Sequence, residues 1–136
     1  MRSIYFFGQN KSVVLYSYRN QISRAPLEGS QIVRPVLLSN DFFGELSDTY
    51  YRGTVYYSYL DRQQNIVVKN MTDRMPEYQV LLTSGVRYLS PQILSWRGKL
   101  LLLYVIFDTT VSEYRIKGEF PFENLSFFFP ESYKDE

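Results

Sequence analysis

Residues 52–61 read RGTVYYSYLD, and residues 97–108 read RGKLLLLYVIFD. Both open on Arg-Gly, run through an apolar stretch to a tyrosine (Tyr59, Tyr104) and end on an aspartate (Asp61, Asp108). The two tyrosines stand 45 residues apart. A step of 41 residues the other way carries Val55, Tyr57, Ser58 and Tyr59 onto Val14, Tyr16, Ser17 and Tyr18. A self-similarity that returns at a period in the low forties marks a repeated supersecondary unit, not a chance run of tyrosines.

The surrounding residues give each copy the same order of parts. Strands are predicted at about 3–8, 12–19, 21–25 and 31–38 in the first copy. The second has them at about 48–52, 54–60, 65–70 and 77–83, and the third at about 91–96, 99–107, 111–117 and 124–129. Turn residues fill the breaks: Gly8-Gln9-Asn10, Arg52-Gly53 and Arg97-Gly98 between first and second strands, then RNQ, DRQQN and DTT. A two-residue link carrying Gly suits a tight hairpin, because that turn needs positive φ and Gly adopts it at little steric cost. The second strands are nearly unbroken apolar runs, the pattern of strands covered on both faces. Helical spacing of apolar residues is scarce, and β-branched and aromatic residues fill the regular segments. The chain therefore reads as one all-β domain, 1–136, with repeats of about 1–44, 45–88 and 89–130 and a charged, frayed tail at 131–136. A β-sandwich or meander of similar strands is the alternative.

Composition bounds the function. Aromatic residues make up 18% of the 136 residues, with 13 Tyr, 10 Phe and a single Trp. The net charge is +1 and no basic stripe exists to neutralise phosphates, which speaks against a nucleic-acid binder. There is no cysteine and no histidine. That removes disulfides, thiolate or imidazole zinc sites, and Ser-His or Cys-His catalysis. The start lacks the apolar core of a signal peptide, and the longest apolar run, residues 100–107, is far shorter than the ~20 residues of a membrane-spanning helix. A soluble, cytoplasmic protein without cofactor or metal is the expectation. Three Asn-x-Ser/Thr triplets, at Asn10, Asn70 and Asn124, read as turn residues beside strands.

Four antiparallel strands in about 40–45 residues, repeated in tandem, resemble the blades of a β-propeller. The resemblance covers nearly the whole chain and rests on pattern alone. It lacks a Trp-Asp signature, a kelch double glycine and a sialidase Asp-box. It implies three blades, half of a six-bladed ring, completed by a second chain in a homodimer. It also implies a ligand face made of loops, with candidates Arg19, Asn20, Asp61, Arg62 and Asp108 from second-to-third-strand turns. Asn40, Asp41, Arg87 and Tyr88 would come from the links between blades. The simpler reading of Asn20, Asp61 and Asp108 is turn geometry. No catalytic residue is assigned. The expected function is a non-enzymatic interaction scaffold binding a partner or small ligand. A carbohydrate-binding module and a glycosidase-like enzyme are the rivals, although the first strands supply only Asp48 toward the carboxylate pair that glycoside hydrolysis requires. Trp96 reads as a core residue.

Overall fold

The computed structural model describes residues 2–6, 11–73 and 76–134, with the backbone alone for residues 2–4, 6 and 131–134. The predicted turn at Gly8-Gln9-Asn10, residues 74–75 and the last two residues of the tail lie outside the described residues. Every regular element among them is a β-strand. No helix long and apolar enough to cross a membrane occurs among the described residues. The chain folds as two compact units, Met1–Phe42 and Phe43–Glu136.

The first unit holds one antiparallel sheet: β1 (Arg2–Phe6), β2 (Ser12–Tyr18), β3 (Gln21–Glu28), β4 (Gln31–Ile32) and β5 (Val36–Ser39). β2 and β3 pair from Val13↔Pro26 to Tyr18↔Gln21 across a turn in which Arg19 takes φ 56°. The single strand predicted at 31–38 is instead two pieces, both paired with β3. Arg34 at φ 49° and Pro35, which has no N–H to give a ladder, interrupt it. The break is pinned by the Val33 N–H donating to Pro26 O (3.1 Å) and by an Arg34–Glu28 ion pair of 2.8 Å.

The second unit holds two four-stranded antiparallel sheets in simple sequential order. One is β6 (Phe42–Tyr51), β7 (Thr54–Asp61), β8 (Ile66–Asn70) and β9 (Pro76–Val80). The other is β10 (Val86–Trp96), β11 (Lys99–Asp108), β12 (Glu113–Phe120) and β13 (Leu125–Lys134). The Arg-Gly hairpins form as the sequence demands, with φ 48° and 85° at Arg52-Gly53 and 48° and 74° at Arg97-Gly98. Positive φ at both central residues gives the tight turn whose twist matches its strands.

Four strands run well beyond their predicted ends, and β3 is one, reaching Glu28 and not residue 25. β6 starts at Phe42, not near residue 48. β10 starts at Val86 and passes Pro91 through a register shift between Leu89 and Gln92, with Ser90 at φ 52°. A bulge lets a strand carry a proline without breaking. Side chains of β6 satisfy the bulged backbone: Glu45 accepts from the Ser90 N–H (2.6 Å) and Ser47 from the Ile93 N–H (3.1 Å). β13 runs on to Lys134, where the sequence predicts a frayed tail, and resumes pairing with β12 beyond a register shift at Pro130.

Register decides which residues share a face, since directly opposed residues on antiparallel strands point the same way and neighbours along a strand alternate. Ser58, Val68 and Tyr78 lie across one face of the second sheet, with Leu60, Ile66 and Val80. Ile93, Leu102 and Glu119 lie across one face of the third. These two faces meet. Tyr51, Leu60, Ile66 and Val68 of one sheet and Ile93, Leu100, Leu102 and Tyr104 of the other form a buried core. Phe122, in the β12–β13 turn, stacks on Tyr51 at 6.2 Å and meets Tyr56 edge-on at 5.6 Å.

Candidate functional site

Two of the predicted loop residues, Asp61 and Asp108, are spent on their own turns. Asp61 closes the β7–β8 turn: one carboxylate oxygen accepts from the amides of Gln63 and Asn65, both at 2.9 Å, and the other from the Asn65 side chain. Asp108 accepts from the Thr110 hydroxyl (2.6 Å) and amide (2.9 Å), and these bonds hold its carboxyl below the usual carboxylate range. Arg62 is exposed in the turn beside Asp61. Asn20 donates from its side chain to Asn40 O (3.3 Å) while its own carbonyl accepts from Phe42 N, so the segment carrying Asn40 and Asp41 lies against the Arg19-Asn20 turn. Arg19 lies over the Tyr18 ring at 5.3 Å. Arg87 and Tyr88 are not loop residues. Both sit in β10, where Arg87 is exposed and Tyr88 is core, edge-on to Tyr104 at 5.4 Å with its hydroxyl on Leu81 O. Among the described residues no cluster of acidic side chains could hold a metal ion.

The feature that stands out lies elsewhere, on the face of the third sheet turned away from the second. Leu94 opposes Leu101, Trp96 opposes Lys99, and Leu103, Gly118 and Phe127 lie in one line across three strands. Leu94, Trp96, Lys99, Leu101, Leu103 and Phe127 line, with Phe120 and Phe129, an open hollow of about 560 Å³. Lys99 is the one polar liner, and its ammonium is held by Glu123 at 3.0 Å and lies 5.6 Å from the Phe120 ring. Arg97 caps the Trp96 ring at 4.7 Å. Gly118 is what lets Phe127 lie flat: a Cβ there would meet the ring at 2.3 Å. Trp96, read from the sequence as core, is 43% exposed, and Phe127 and Phe129 are also exposed. It is an outward residue at the end of a strand whose other face is the buried one.

Behind this sheet, facing the second, stands a buried carboxylate. Glu119 is 5% exposed and accepts from the Tyr104 hydroxyl (2.5 Å), the Tyr78 hydroxyl and Lys117 Nζ (3.0 Å). Burial alone would raise its pKa. The bonds from the two tyrosines and from Lys117 outweigh burial and keep it below the usual range. Burial, and then the bond to this carboxylate, push both tyrosine hydroxyls well up. Glu119 therefore remains an anion locked to its donors, an arrangement for joining β9 to β11 and β12 and not for exchanging protons.

The hollow was missed in the sequence because its residues are scattered over three strands. Its one legible trace is the alternation Leu94, Trp96 and Leu101, Leu103 about the Arg97-Gly98 turn. The chain matches no family model, no curated protein and no solved structure.

Proposed function

We propose that this protein is a non-enzymatic interaction module made of stacked, blade-like sheets in the manner of a β-propeller, with the outer face of the third sheet as its working surface. One observation carries the reading: Trp96, Phe127 and Phe129 stand exposed around a hollow lined by seven apolar residues and one lysine that is already paired. A contiguous apolar patch of this kind on a folded protein marks a contact surface, because leaving it in water is costly. The blade reading draws support from the sequential four-strand order and from the face-to-face burial of the second sheet on the third.

The rival readings find less. A sugar site needs free polar groups beside its aromatic platform, and here the hollow has one polar liner, Lys99, held by Glu123, with Arg97 lying over the Trp96 ring. A hydrolase reading needs available carboxylates, yet Asp61 and Asp108 are committed to turn amides. The test is oxidative footprinting of Trp96, Phe127 and Phe129, comparing dilute purified protein with protein labelled inside the cells that express it. Protection in the cell and free labelling in dilute solution are expected. Equal labelling of all three side chains in both conditions would contradict an interaction surface at this face.

A further inference from the structure

We infer that β13 pairs edge to edge with the same strand of a second copy, antiparallel about a two-fold axis through Phe127. This goes beyond the reading of the outer face and stands on a different observation, an open backbone edge.

An edge strand presents a row of unpaired N–H and C=O groups, and folded proteins guard such rows with charges, prolines, bulges or covering groups. Among the described residues the second unit has four sheet edges, and three are guarded. β6 carries Glu45 and Asp48, and β9 opens on Pro76 and Glu77. β10 holds Pro91 at a bulge, and its Ser90 and Ile93 N–H groups donate to Glu45 and Ser47. β13 is the exception. From Leu125 to Phe129 it has neither charge nor proline, and all five residues are exposed. β9 holds the same edge of the second sheet while the chain runs on to β10, so this position belongs to the repeat.

The direction of each backbone group follows from the β12–β13 turn. Phe120 O accepts from the Glu123 and Asn124 N–H groups, so it points across the hairpin toward β13. In an antiparallel pair a residue turns its N–H and C=O the same way, and alternate residues turn opposite ways. Phe120 and Gly118 therefore face β13, and their opposites Leu125 and Phe127 face β12. Ser126 and Phe128 turn their groups outward.

The segment is its own complement. With the axis through Phe127, Ser126 of each chain meets Phe128 of the other, and each meeting exchanges a pair of hydrogen bonds. Leu125 meets Phe129 on the outer face, apolar against apolar. Pro130 stays outside the ladder. An axis one residue later would set it against Ser126, where it has no N–H to give. A two-fold contact uses the same patch on both chains, which this register supplies.

Analytical ultracentrifugation of the chain over about 1 µM to 1 mM tests this. The wild type is expected to reach twice its 16.2 kDa mass. Ser126→Pro removes an outward N–H and none from the β12 ladder, so it should weaken dimerisation about a hundredfold while the circular dichroism melt stays in place. Leu125→Lys and Phe129→Asp should each weaken it about tenfold. Mixing those two variants should restore a dimer, because the new ammonium and carboxylate then face each other and the second meeting is wild type on both sides. Amide hydrogen exchange reads the wild type directly: the Ser126 and Phe128 amides should slow as concentration rises. Dimerisation lost with Trp96→Asp but kept with Ser126→Pro would place the contact on the outer face and overturn the edge. A wild type that stays monomeric throughout would overturn the second copy as partner. Trp96 lies on β10, at the far edge of the sheet, so its protection in the cell tests the outer face separately.

Discussion

Replacing Glu119 by glutamine keeps the shape of the side chain and removes its charge, so it isolates what the buried carboxylate does. Three hydrogen bonds converge on it, from Tyr104, Tyr78 and Lys117. Bonds to a charged group contribute roughly 1.5–3 kcal/mol each, and burial of the charge offsets part of the total. Glutamine still offers a carbonyl oxygen to one hydroxyl but presents an N–H pair where the other donors arrive. The expected loss is about 3 kcal/mol at pH 7, a fall in Tm of roughly 10 °C for a chain of this size. The pH dependence sharpens the test. Glu119 is held below its usual range, so the folded state binds fewer protons than the unfolded state wherever the two differ. Its stabilisation is complete above the unfolded value of about 4.3 and is lost as the pH falls through the folded value. Melts of wild type and Glu119→Gln should therefore lie furthest apart at neutral pH, begin to converge below about pH 5, and come closest at the acid end. A gap that stays constant down to pH 3, or no gap at pH 7, would refute the reasoning.

Two further substitutions probe the same pair of sheets from inside and outside. The Ser58 hydroxyl is buried on the face between the second and third sheets and makes no hydrogen bond. Ser58→Ala removes an unsatisfied group and should leave stability unchanged or raise it by about 1 kcal/mol in urea titrations, whereas a loss above that would mean the hydroxyl has a partner. Gly118→Ala would drive a methyl group into the Phe127 ring and should cost about 1–2 kcal/mol, a case of overpacking. In a Phe127→Ala background the same change should instead stabilise by about 0.5 kcal/mol, since only the gain from a stiffer unfolded chain remains. A double-mutant cycle showing no change of sign would mean the ring does not lie over Gly118.

Much of the architecture was legible because it is local. The Arg52-Gly53 and Arg97-Gly98 turns, the apolar second strands and the repeated tyrosines depend on short-range geometry, and the strands fall where those signals put them. Two of the strand-boundary errors lie where a proline misleads. Pro91 and Pro130 read as strand ends, yet a bulge and a register shift carry both strands past them, since each break in pairing spares the ladder an N–H that proline cannot give. Pro35 did end a strand, with Arg34 in the left-handed region beside it. The site was harder to read. Charged turn residues such as Asp61 and Asp108 attract notice in a sequence, but their oxygens face their own backbone. The hollow depends instead on which side of a strand is covered, and alternation alone does not say which of two apolar faces meets another sheet. Trp96 shows the ambiguity: strand position and chemistry are those of Tyr51, and the difference in burial comes entirely from the neighbour.

That difference also bears on how the two sides of the third sheet discriminate between neighbours. The closed side holds a carboxylate that needs two hydroxyls and an ammonium, and a sheet lacking a tyrosine at the place of Tyr78 would leave a buried charge short of a donor. Such a requirement rejects wrong partners more strongly than it rewards the right one, because the penalty for an unpaired buried charge exceeds the net gain from pairing it. The outer side makes no such demand. Its lining is apolar apart from Lys99, which Glu123 already satisfies, so any sheet of suitable shape loses little by covering it. Selectivity there must come from fit around Trp96 and the Phe127 ring seated on Gly118. A surface of that kind discriminates by shape and not by charge.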